Sequence, residues 1–397
     1  MTKPWNFETA GETVFGAGTL DQIGSLCKSH NWHRALVVSD SNLLALDMVD
    51  RVCGNLQSEC VDAFSFTETE AEPSIETAAA AVATSESFGP DVVIGLGGGS
   101  NMDLAKVVAT VLSCGGTASD YFGFDRVPHA ILPLICVPTT AGTGSEVSHS
   151  AVLTDREAAM KESMQSRFLR PRIALIDPAL ALSCPRQVTA ESGIDALVHA
   201  IEAYTAIDAA EMPDGNAYSG RTPITNALCE QAIALIGKYL VRAVEVADDL
   251  EAREGMASAA LLAGMAFSNA GVAVVHALEY PLGGTLHCSH GGGNGMLLPY
   301  VMRFNLQVRK EAFARIAVLL GENVSGMDEG DAAERGIVAV ENMRGRIGIP
   351  SSVRQLGGRK DQLKGFAEKA FAVKRLIHVN PRPVTLSDLQ SILQSAF

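Results

Sequence analysis

The chain has 397 residues, of which 47% are hydrophobic, 19% are charged and 37 are glycine. This length exceeds the usual size of one domain, so we expect two domains with ample buried core, and the composition excludes an intrinsically disordered chain. The formal net charge of −14 disfavours nucleic acid and anionic membrane surfaces, so neither is an expected partner.

Short apolar runs alternate with helical patterns in the first part of the chain. Strands are predicted at 34–40, 61–66, 91–96, 132–137 and 173–176, and helices at 43–60, 74–86 and 102–113. Strands that alternate with helices indicate a parallel sheet covered on both faces. We therefore predict a Rossmann-like α/β domain over residues 1–185.

The pattern changes near residue 185, where long apolar helical stretches replace the strands. Helices are predicted at 193–206, 223–247, 251–270, 272–280, 310–320, 330–346 and 384–395. This pattern predicts an all-α domain over residues 186–397. The polar segment 207–222, which contains glycine and proline, is predicted to be an exposed loop.

The first residues form no apolar leader, and no apolar run reaches the ~18 residues that a membrane span needs. The eight cysteines are scattered and include no CxxC pair. Because a chain of this size needs no disulfide framework, we expect it to work in a reducing cytoplasm.

A glycine-rich turn lies between a predicted strand and a predicted helix. Gly97, Gly98, Gly99 and Ser100 would let backbone N–H groups approach a pyrophosphate at the N-terminus of that helix. Asp40, at the end of another strand, could accept hydrogen bonds from an adenosine ribose, which favours NAD over NADP. Asp40 precedes the glycines in this chain, which is the reverse of the usual Rossmann order. A tight strand–helix turn that binds no ligand would give the same glycine pattern.

A second loop, residues 138–146 (PTTAGTGSE), follows the strand predicted at 132–137. It offers four hydroxyl side chains and two glycines, which can donate to a phosphate or a nicotinamide group. Loops at adjacent strand ends face one crevice in an open α/β sheet. The two loops together predict nucleotide binding.

Four residues of the helical region form a candidate metal site. Asp195 and His199 are four positions apart in a helical pattern, so both project from one face, although a solvated or capping pair has the same spacing. His276 lies in an apolar helix, where an unpaired imidazole is costly to bury. Glycines around His290 would permit the close approach and the unusual backbone that a ligand loop needs.

Three imidazoles and one carboxylate suit Fe²⁺ or Zn²⁺ and leave room for a substrate oxygen. His287 and Cys288 are the rivals for one ligand position because they lie beside His290 in the sequence.

These motifs, in this order, resemble the iron-containing (group III) alcohol dehydrogenase family. The resemblance spans nearly the whole chain and is carried by FGAGTL (15–20), GGGSNMDLAK (97–106), PTTAGTGSEV (138–147), GIDALVHAIEAY (193–204), HALEYPLGGTLHCSHGGGNGMLLPYVMRFN (276–305) and NPRPVTLSDLQSIL (380–393).

The resemblance implies a dinucleotide-binding domain, a helical domain, and metal and substrate in the cleft between them. It places Asp195, His199, His276 and His290 at the positions of the family's metal ligands. It also implies that a set of residues lies along the cofactor: Asp40, Gly97, Gly98, Gly99, Ser100, Asp103, Thr139, Thr140, Thr143, Val152 and Lys161. A homodimer or larger assembly is implied as well.

The chain departs from the family pattern at two places. Some members carry a proton-relaying histidine four residues after the third ligand, where this chain has Tyr280. A tyrosine could still donate a hydrogen bond as a catalytic residue, but phenols ionise only near pH ~10, so proton shuttling at neutral pH would be poorer. The 207–222 segment is longer than the family pattern, so the identity of the substrate is the inference that transfers least.

The activity expected from these residues is hydride transfer between a small alcohol, or an aldehyde or ketone in reverse, and a nicotinamide cofactor, with the metal as a Lewis acid. Three alternatives remain. A lyase of the dehydroquinate synthase type would also use NAD and a metal, but few cations surround the ligands here to bind an acidic, phosphorylated substrate. A hydroxyacid–oxoacid transhydrogenase and a non-enzymatic nucleotide-responsive protein are the other two.

Overall fold

The computed structural model describes residues 3–157 and 160–397. The chain divides into two compact units. One, the sheet unit, comprises residues 9–140 and 144–182, and the other, the helical unit, comprises residues 3–8, 141–143 and 183–397.

The sheet unit alternates strands with helices. Its strands are β1 (Glu12–Phe15), β2 (Arg34–Val38), β3 (Asp62–Phe66), β4 (Val92–Gly97), β5 (Gly123–Phe124), β6 (Leu134–Pro138), β7 (Ser150–Asp155), β8 (Met160–Gln165) and β9 (Ile173–Ile176). Its α-helices are α1 (Ile23–Ser29), α2 (Ser41–Ala45), α3 (Met48–Ser58), α4 (Ile75–Glu86) and α5 (Gly99–Cys114). Short 3-10 helices span Thr19–Gln22, Ala118–Tyr121, Arg167–Leu169 and Pro178–Ser183.

Six strands form one parallel sheet in the order β1-β9-β6-β4-β2-β3. Along β2 the side chains alternate between two cores, with Leu36 and Val38 in one and Val37 in the other. Such alternation buries both faces of the sheet, as parallel sheets require. The predicted α/β fold with a parallel sheet is confirmed.

Three features of this unit differ from the prediction. The helix predicted at 43–60 is two helices, because Asp47 adopts a left-handed conformation (φ 57°) between α2 and α3. Strand β1 was not predicted, because its short sequence ETVF is only partly buried at the sheet edge. A second sheet, β5-β8-β7, was also missed, since the polar β8 (MKESMQ) has no apolar run.

The helical unit packs its helices around one hydrophobic core. The α-helices are α6 (Arg186–Thr205), α7 (Pro223–Glu245), α8 (Leu250–Ala270), α9 (Val274–Leu286), α10 (His290–Asn305), α11 (Lys310–Leu319), α12 (Glu329–Ile347), α13 (Leu363–Ala372), α14 (Lys374–Ile377) and α15 (Leu386–Ser395). Short 3-10 helices span Leu306–Val308 and Lys360–Gln362. The predicted all-α character of this region is confirmed.

The glycines around His290 permit a close approach, as predicted, but they do so within a helix and not within a loop. They belong to α10, which begins at His290 and is capped by the Ser289 hydroxyl, so the predicted ligand loop is wrong. A side chain at Gly291 would collide with the carbonyl oxygen of Glu191 in α6. The glycines therefore allow two helix backbones to approach closely, without any left-handed conformation.

The loop predicted at 207–222 is present but only partly exposed, because Met212 and Tyr218 are buried within it. Its first residue, Ile207, donates its backbone N–H to the carbonyl of Val379, so the loop is tied to the C-terminal part of the chain.

Within the described residues, no single helix is long and apolar enough to cross a membrane. The consecutive helices α8 and α9, which meet at a bend of 103°, pass that test only as a pair.

Candidate metal centre and cofactor loops

Asp195 and His199 of α6 and His276 of α9 converge in the core of the helical unit. Their ligand atoms all lie within 4.8 Å of one another, and all three side chains are buried. The i, i+4 spacing on α6 puts the carboxylate and the imidazole on one face. This arrangement is one that can hold a divalent metal ion.

His290 joins this group through Asn294, which is one helical turn further along α10. The amide nitrogen of Asn294 donates to Asp195 Oδ1 at 2.8 Å and lies 3.2 Å from His276 Nε2 and 3.1 Å from His290 Nε2. Three of the four predicted ligands therefore contact one buried amide, and the fourth, His199, has its Nε2 atom 3.8 Å from Asp195 Oδ2.

Each of the three imidazoles has an oxygen acceptor at its other ring nitrogen. His276 Nδ1 lies 2.6 Å from a carboxylate oxygen of Glu202, and His290 Nδ1 lies 2.6 Å from one of Glu279. His199 Nδ1 lies 3.3 Å from the carbonyl oxygen of Gly142, in the segment 141–143 of the same unit. These acceptors place the ring proton on Nδ1 and leave the Nε2 lone pairs directed at the common centre.

The charge states of Asp195 and His199 suit the binding of a metal ion. Burial disfavours the ionised form of Asp195, but the neighbouring imidazoles and the Asn294 amide outweigh it and hold the pKa of Asp195 below its usual value. Burial lowers the pKa of His199 to about 4, against the opposing attraction of Asp195. A carboxylate and a neutral imidazole are the forms that bind a metal.

Aromatic rings enclose the centre. Phe267 stacks on His199 with ring centroids 4.2 Å apart, and His199 stacks on His276 at 4.9 Å. Tyr280, one turn after His276, has its ring centroid 6.4 Å from that of His290. Phe267 thus holds the His199 ring in place by packing.

Sequence reasoning missed three residues of this centre, although each has a helical spacing that could have revealed it. Glu202 follows Asp195 by seven residues, Glu279 follows His276 by three, and Asn294 follows His290 by four.

The rival ligands do not join the centre. His287 is exposed and ends α9 with a left-handed backbone (φ 53°). Within the described residues, the converging group of Asp195, His199 and His276 includes neither His287 nor Cys288, and Asn294 links His290 to that group.

The glycine turn of the sheet unit is linked to Asp40 by Asn101. One Asp40 carboxylate oxygen accepts from the backbone N–H groups of Asn42 and Leu43, and the other accepts from the Asn101 side chain at 2.7 Å. Gly97 has φ +140°, and a side chain there would collide with the Asn101 amide, so this position needs glycine.

The remaining residues of the turn lead into a helix. Gly98 is the N-cap of α5 and Gly99 is its first residue, so their backbone N–H groups lie at a helix N-terminus. The Ser100 hydroxyl donates to the carbonyl of Ala71. The turn therefore has the strand–turn–helix context that phosphate binding requires.

The Asp103 carboxylate is hydrogen-bonded to other groups of the protein. Its carboxylate accepts from the Ser145 hydroxyl at 2.6 Å and from the Val152 backbone N–H at 2.9 Å. The fully buried Lys106 donates to Ser145 and Ser148, and burial lowers the pKa of Lys106. This hydrogen-bond network holds the 138–146 loop in place through Ser145.

The other predicted cofactor residues lie in the 138–146 loop and in the small sheet. Thr139 donates its backbone N–H to the Gly97 carbonyl, and Thr140 lies beside Gly98, so the two loops adjoin. Thr143 is half-buried. Val152 in β7 and Lys161 in β8 belong to the small sheet, where Lys161 pairs with Glu72 at 2.9 Å.

Two family models match the chain. One, described as "Iron-containing alcohol dehydrogenase", matches residues 10–178, and the other, described as "Fe-containing alcohol dehydrogenase family, C-terminal", matches residues 189–397.

Curated relatives and solved structures match over nearly the full length. The NAD-dependent methanol dehydrogenase of Bacillus methanolicus is 36% identical, over 98% of this chain and 99% of that protein. Long-chain-alcohol dehydrogenase 1 of Geobacillus thermodenitrificans is 38% identical, over 96% and 94%. A crystal structure of a 1,3-propanediol oxidoreductase superposes with a TM-score of 0.94 at 34% identity and covers both chains completely.

Proposed function

Because the chain belongs to the iron-containing alcohol dehydrogenase family and is an oxidoreductase of that type, we propose that Asp195, His199, His276 and His290 bind a divalent metal. With this metal and NAD, the enzyme oxidises a small alcohol or reduces the corresponding aldehyde or ketone. The observation that carries the proposal is the convergence of Asp195, His199 and His276, to which Asn294 joins His290, with an oxygen acceptor at the Nδ1 atom of each imidazole.

The donor set fits Fe²⁺, or Zn²⁺ as the second candidate, since imidazole and carboxylate suit both ions. Asn294 adds a second observation, because its carbonyl oxygen is buried and, among the described residues, has no hydrogen-bond partner. A buried acceptor without a donor is costly, and a cation or a hydroxyl group bound beside it would satisfy it. When bound, the metal would supply Lewis-acid polarisation of the substrate oxygen.

Neighbouring side chains hold the proposed metal ligands in position. Glu202 and Glu279 orient two imidazoles, and Phe267 stacks on the third. Asp195, His199 and His276 are buried, which strengthens the electrostatic interactions between these three groups. Tyr280 has a phenol on the metal-facing side of α9 and is proposed to donate a hydrogen bond to the substrate oxygen.

We propose NAD as the cofactor, with NADP disfavoured. The glycine turn Gly97–Gly99 and Ser100 would bind the pyrophosphate, and the negative charge of Asp40 would accept from a ribose hydroxyl and repel a 2′-phosphate. Along the cofactor we also place Asp103, Thr139, Thr140, Thr143, Val152 and Lys161. Asp103 would act through Ser145, because its oxygens bind groups of the protein.

The lyase and transhydrogenase alternatives are not favoured, because the relatives named above are alcohol and diol dehydrogenases or oxidoreductases. Their different substrates at similar identity leave the alcohol itself open.

We further propose a cytoplasmic homo-oligomer, a dimer in its simplest form. The eight cysteines are free thiols, which suits a reducing compartment. Light scattering on the purified protein tests the assembly.

The substitution His276→Ala tests the metal site. It should abolish both bound metal and turnover while NAD⁺ binding, measured by calorimetry, stays within twofold. The exposed His378 offers a matched control, because His378→Ala should retain the metal. Full activity of a metal-free preparation would refute the proposal.

A further inference from the structure

The carboxyl ends of β2 and β4 mark the point at which the parallel sheet changes direction. The two strands are neighbours, and the chain continues from β2 to β3 on one side and from β4 to β6 on the other. Open α/β sheets bind ligands in the crevice outside the carboxyl ends of the strands at such a switch point. Asp40 follows β2 and the glycine turn begins at the end of β4, so both lie at this crevice.

Asn101, in the first turn of α5, joins these two strand ends. Its side-chain amide nitrogen donates to Asp40 Oδ2 at 2.7 Å and to the carbonyl oxygen of Leu96, in β4, at 2.9 Å. A carboxylate and a carbonyl only accept hydrogen bonds, so the orientation of the amide is fixed. The side chain is 2% exposed and fills the space that a Cβ atom on Gly97 would occupy. A buried amide therefore connects Asp40 to the glycine turn.

The hydrogen bonds of Asp40 direct a ligand to one of its two oxygens. A carboxylate has about four acceptor positions, two on each oxygen. Oδ1 accepts from the backbone N–H groups of Asn42 and Leu43, at 2.8 and 3.2 Å, which occupies both of its positions. Among the described residues, Oδ2 accepts from Asn101 alone, and Asp40 is half-buried rather than enclosed. The second position of Oδ2 is therefore the one that can accept from a ligand, and Asn101 sets its direction.

We propose that Asn101 determines the preference for NAD over NADP by fixing the direction in which Asp40 Oδ2 accepts a hydrogen bond. The inference rests on the proposed function, in which Asp40 accepts from the adenosine ribose. A 2′-hydroxyl can donate to a carboxylate held in this direction, whereas a 2′-phosphate is repelled by its charge. Without the Asn101 amide, the carboxylate would keep its two hydrogen bonds at Oδ1 and turn about the Cβ–Cγ bond. Asn101 is thus a positioning residue that acts through Asp40.

The test measures the Kd of three ligands by calorimetry on the metal-loaded enzyme: NAD⁺, NADP⁺ and the NAD⁺ analogue that lacks the adenosine 2′-hydroxyl. The unmodified enzyme should bind NAD⁺ more tightly than either of the other two. Asn101→Leu should weaken NAD⁺ binding by roughly 10-fold, the loss of one hydrogen bond to a charged group. The Kd of NADP⁺ and that of the deoxy analogue should change little, so the preference for NAD⁺ over each should fall.

Two further variants separate recognition of the ribose from support of the fold. Asn101→Ser leaves room for a water molecule, and the Leu96 carbonyl still accepts from the Ser39 hydroxyl at 3.0 Å, so this variant should fold even if Asn101→Leu does not. It should show the same fall in preference. Asn380→Leu is the matched control, because Asn380 is also buried and exchanges two hydrogen bonds with Asn305 in the helical unit. It should lower stability and leave both preferences unchanged.

Asp40→Ala distinguishes the inference from the proposed function on which it rests. It should remove both preferences, and Asn101→Leu added to it should have no further effect, because the two residues act as one unit. An equal loss of affinity for all three ligands in Asn101→Leu would overturn the inference. So would unchanged preferences in Asn101→Leu when Asp40→Ala removes them. Unchanged preferences in Asp40→Ala would instead refute the assignment of the ribose to Asp40 in the proposed function.

Discussion

Glu202 offers the sharpest test of how the metal centre is built. Three donors converge on its buried carboxylate: the backbone N–H groups of Ala273 and Val275, at 2.8 and 2.7 Å, and His276 Nδ1 at 2.6 Å. The substitution Glu202→Gln keeps the shape but replaces one acceptor oxygen with an NH₂ group. In either orientation that NH₂ group meets a donor, so at least one of the three hydrogen bonds is lost.

The size of the effect follows from these contacts. A hydrogen bond to a charged group contributes about 1.5–3 kcal/mol, so the free energy of unfolding should fall by about that amount. In either orientation His276 Nδ1 loses its charged partner, because the amide that replaces the carboxylate is neutral. Loss of such an outer partner weakens metal binding by roughly 10- to 100-fold.

Metal affinity is measured by competition with a chelator, and stability is measured on the metal-free protein by denaturant unfolding. Glu230→Gln is the matched control, because Glu230 lies in the same unit and accepts from Tyr204 and Arg315, away from the ligands. Both variants should lose stability, but only Glu202→Gln should lose metal affinity. A Glu202→Gln protein that is less stable yet binds metal within twofold of the original would refute the reasoning.

Three further predictions follow from burial and packing. Burial raises the pKa of Glu146 to about 7, so the folded state retains a proton that the unfolded state loses, and stability should fall as pH rises from about 5 to 7. Glu146→Gln should flatten that dependence, by about 3 kcal/mol at most, in denaturant unfolding at each pH. Gly291→Ala should destabilise the protein by about 1–3 kcal/mol through collision with Glu191, whereas Gly345→Ala, in open space on α12, should stabilise it by about 0.5–1 kcal/mol. When the free metal concentration is about a thousandfold the Kd, removal of the metal by a chelator should lower the free energy of unfolding by about 4 kcal/mol. The loss should be seen as a lower melting temperature.

Each of these predictions has an outcome that contradicts it. An unchanged pH profile in Glu146→Gln would assign the titration to another group. Equal stability of the two alanine variants would mean that α10 and α6 move apart without cost. A melting temperature independent of chelator would place the metal outside the folded core.

The parts of the fold that follow from local periodicity were predictable. Strands β2, β4, β6 and β9 are continuous apolar runs, because a parallel sheet buries both faces. Strands β7 and β8 escaped prediction because neither is a continuous buried run: β7 alternates between buried and half-exposed side chains, and most of β8 is exposed or half-exposed. Their pairing with each other, rather than their composition, defines them.

The candidate site was predictable at the ligand positions, whereas for their partners helical spacing indicates a shared helix face but not the contact itself. Asp195 and His199 share one helical face in sequence, so their proximity follows from α-helical geometry. The meeting of Glu202 with His276, 74 residues later, depends on how α6 packs against α9, which no local pattern records. The glycines of α10 suggested a loop because glycine is common both in flexible loops and at closely packed helices. Only the contact of Gly291 with the Glu191 carbonyl, which the sequence does not reveal, distinguishes close packing from a loop.

The division of the chain into units has a consequence for labelling and dissection. Residues 3–8 belong to the helical unit, and the Glu8 backbone exchanges two hydrogen bonds with the Asn269 side chain of α8. The sheet unit is therefore an insertion that interrupts the helical unit, rather than a module joined to its front. A fragment that begins at residue 183 would lack the partner of Asn269, and a probe placed near either end of the described chain reports on the unit that contains the metal ligands.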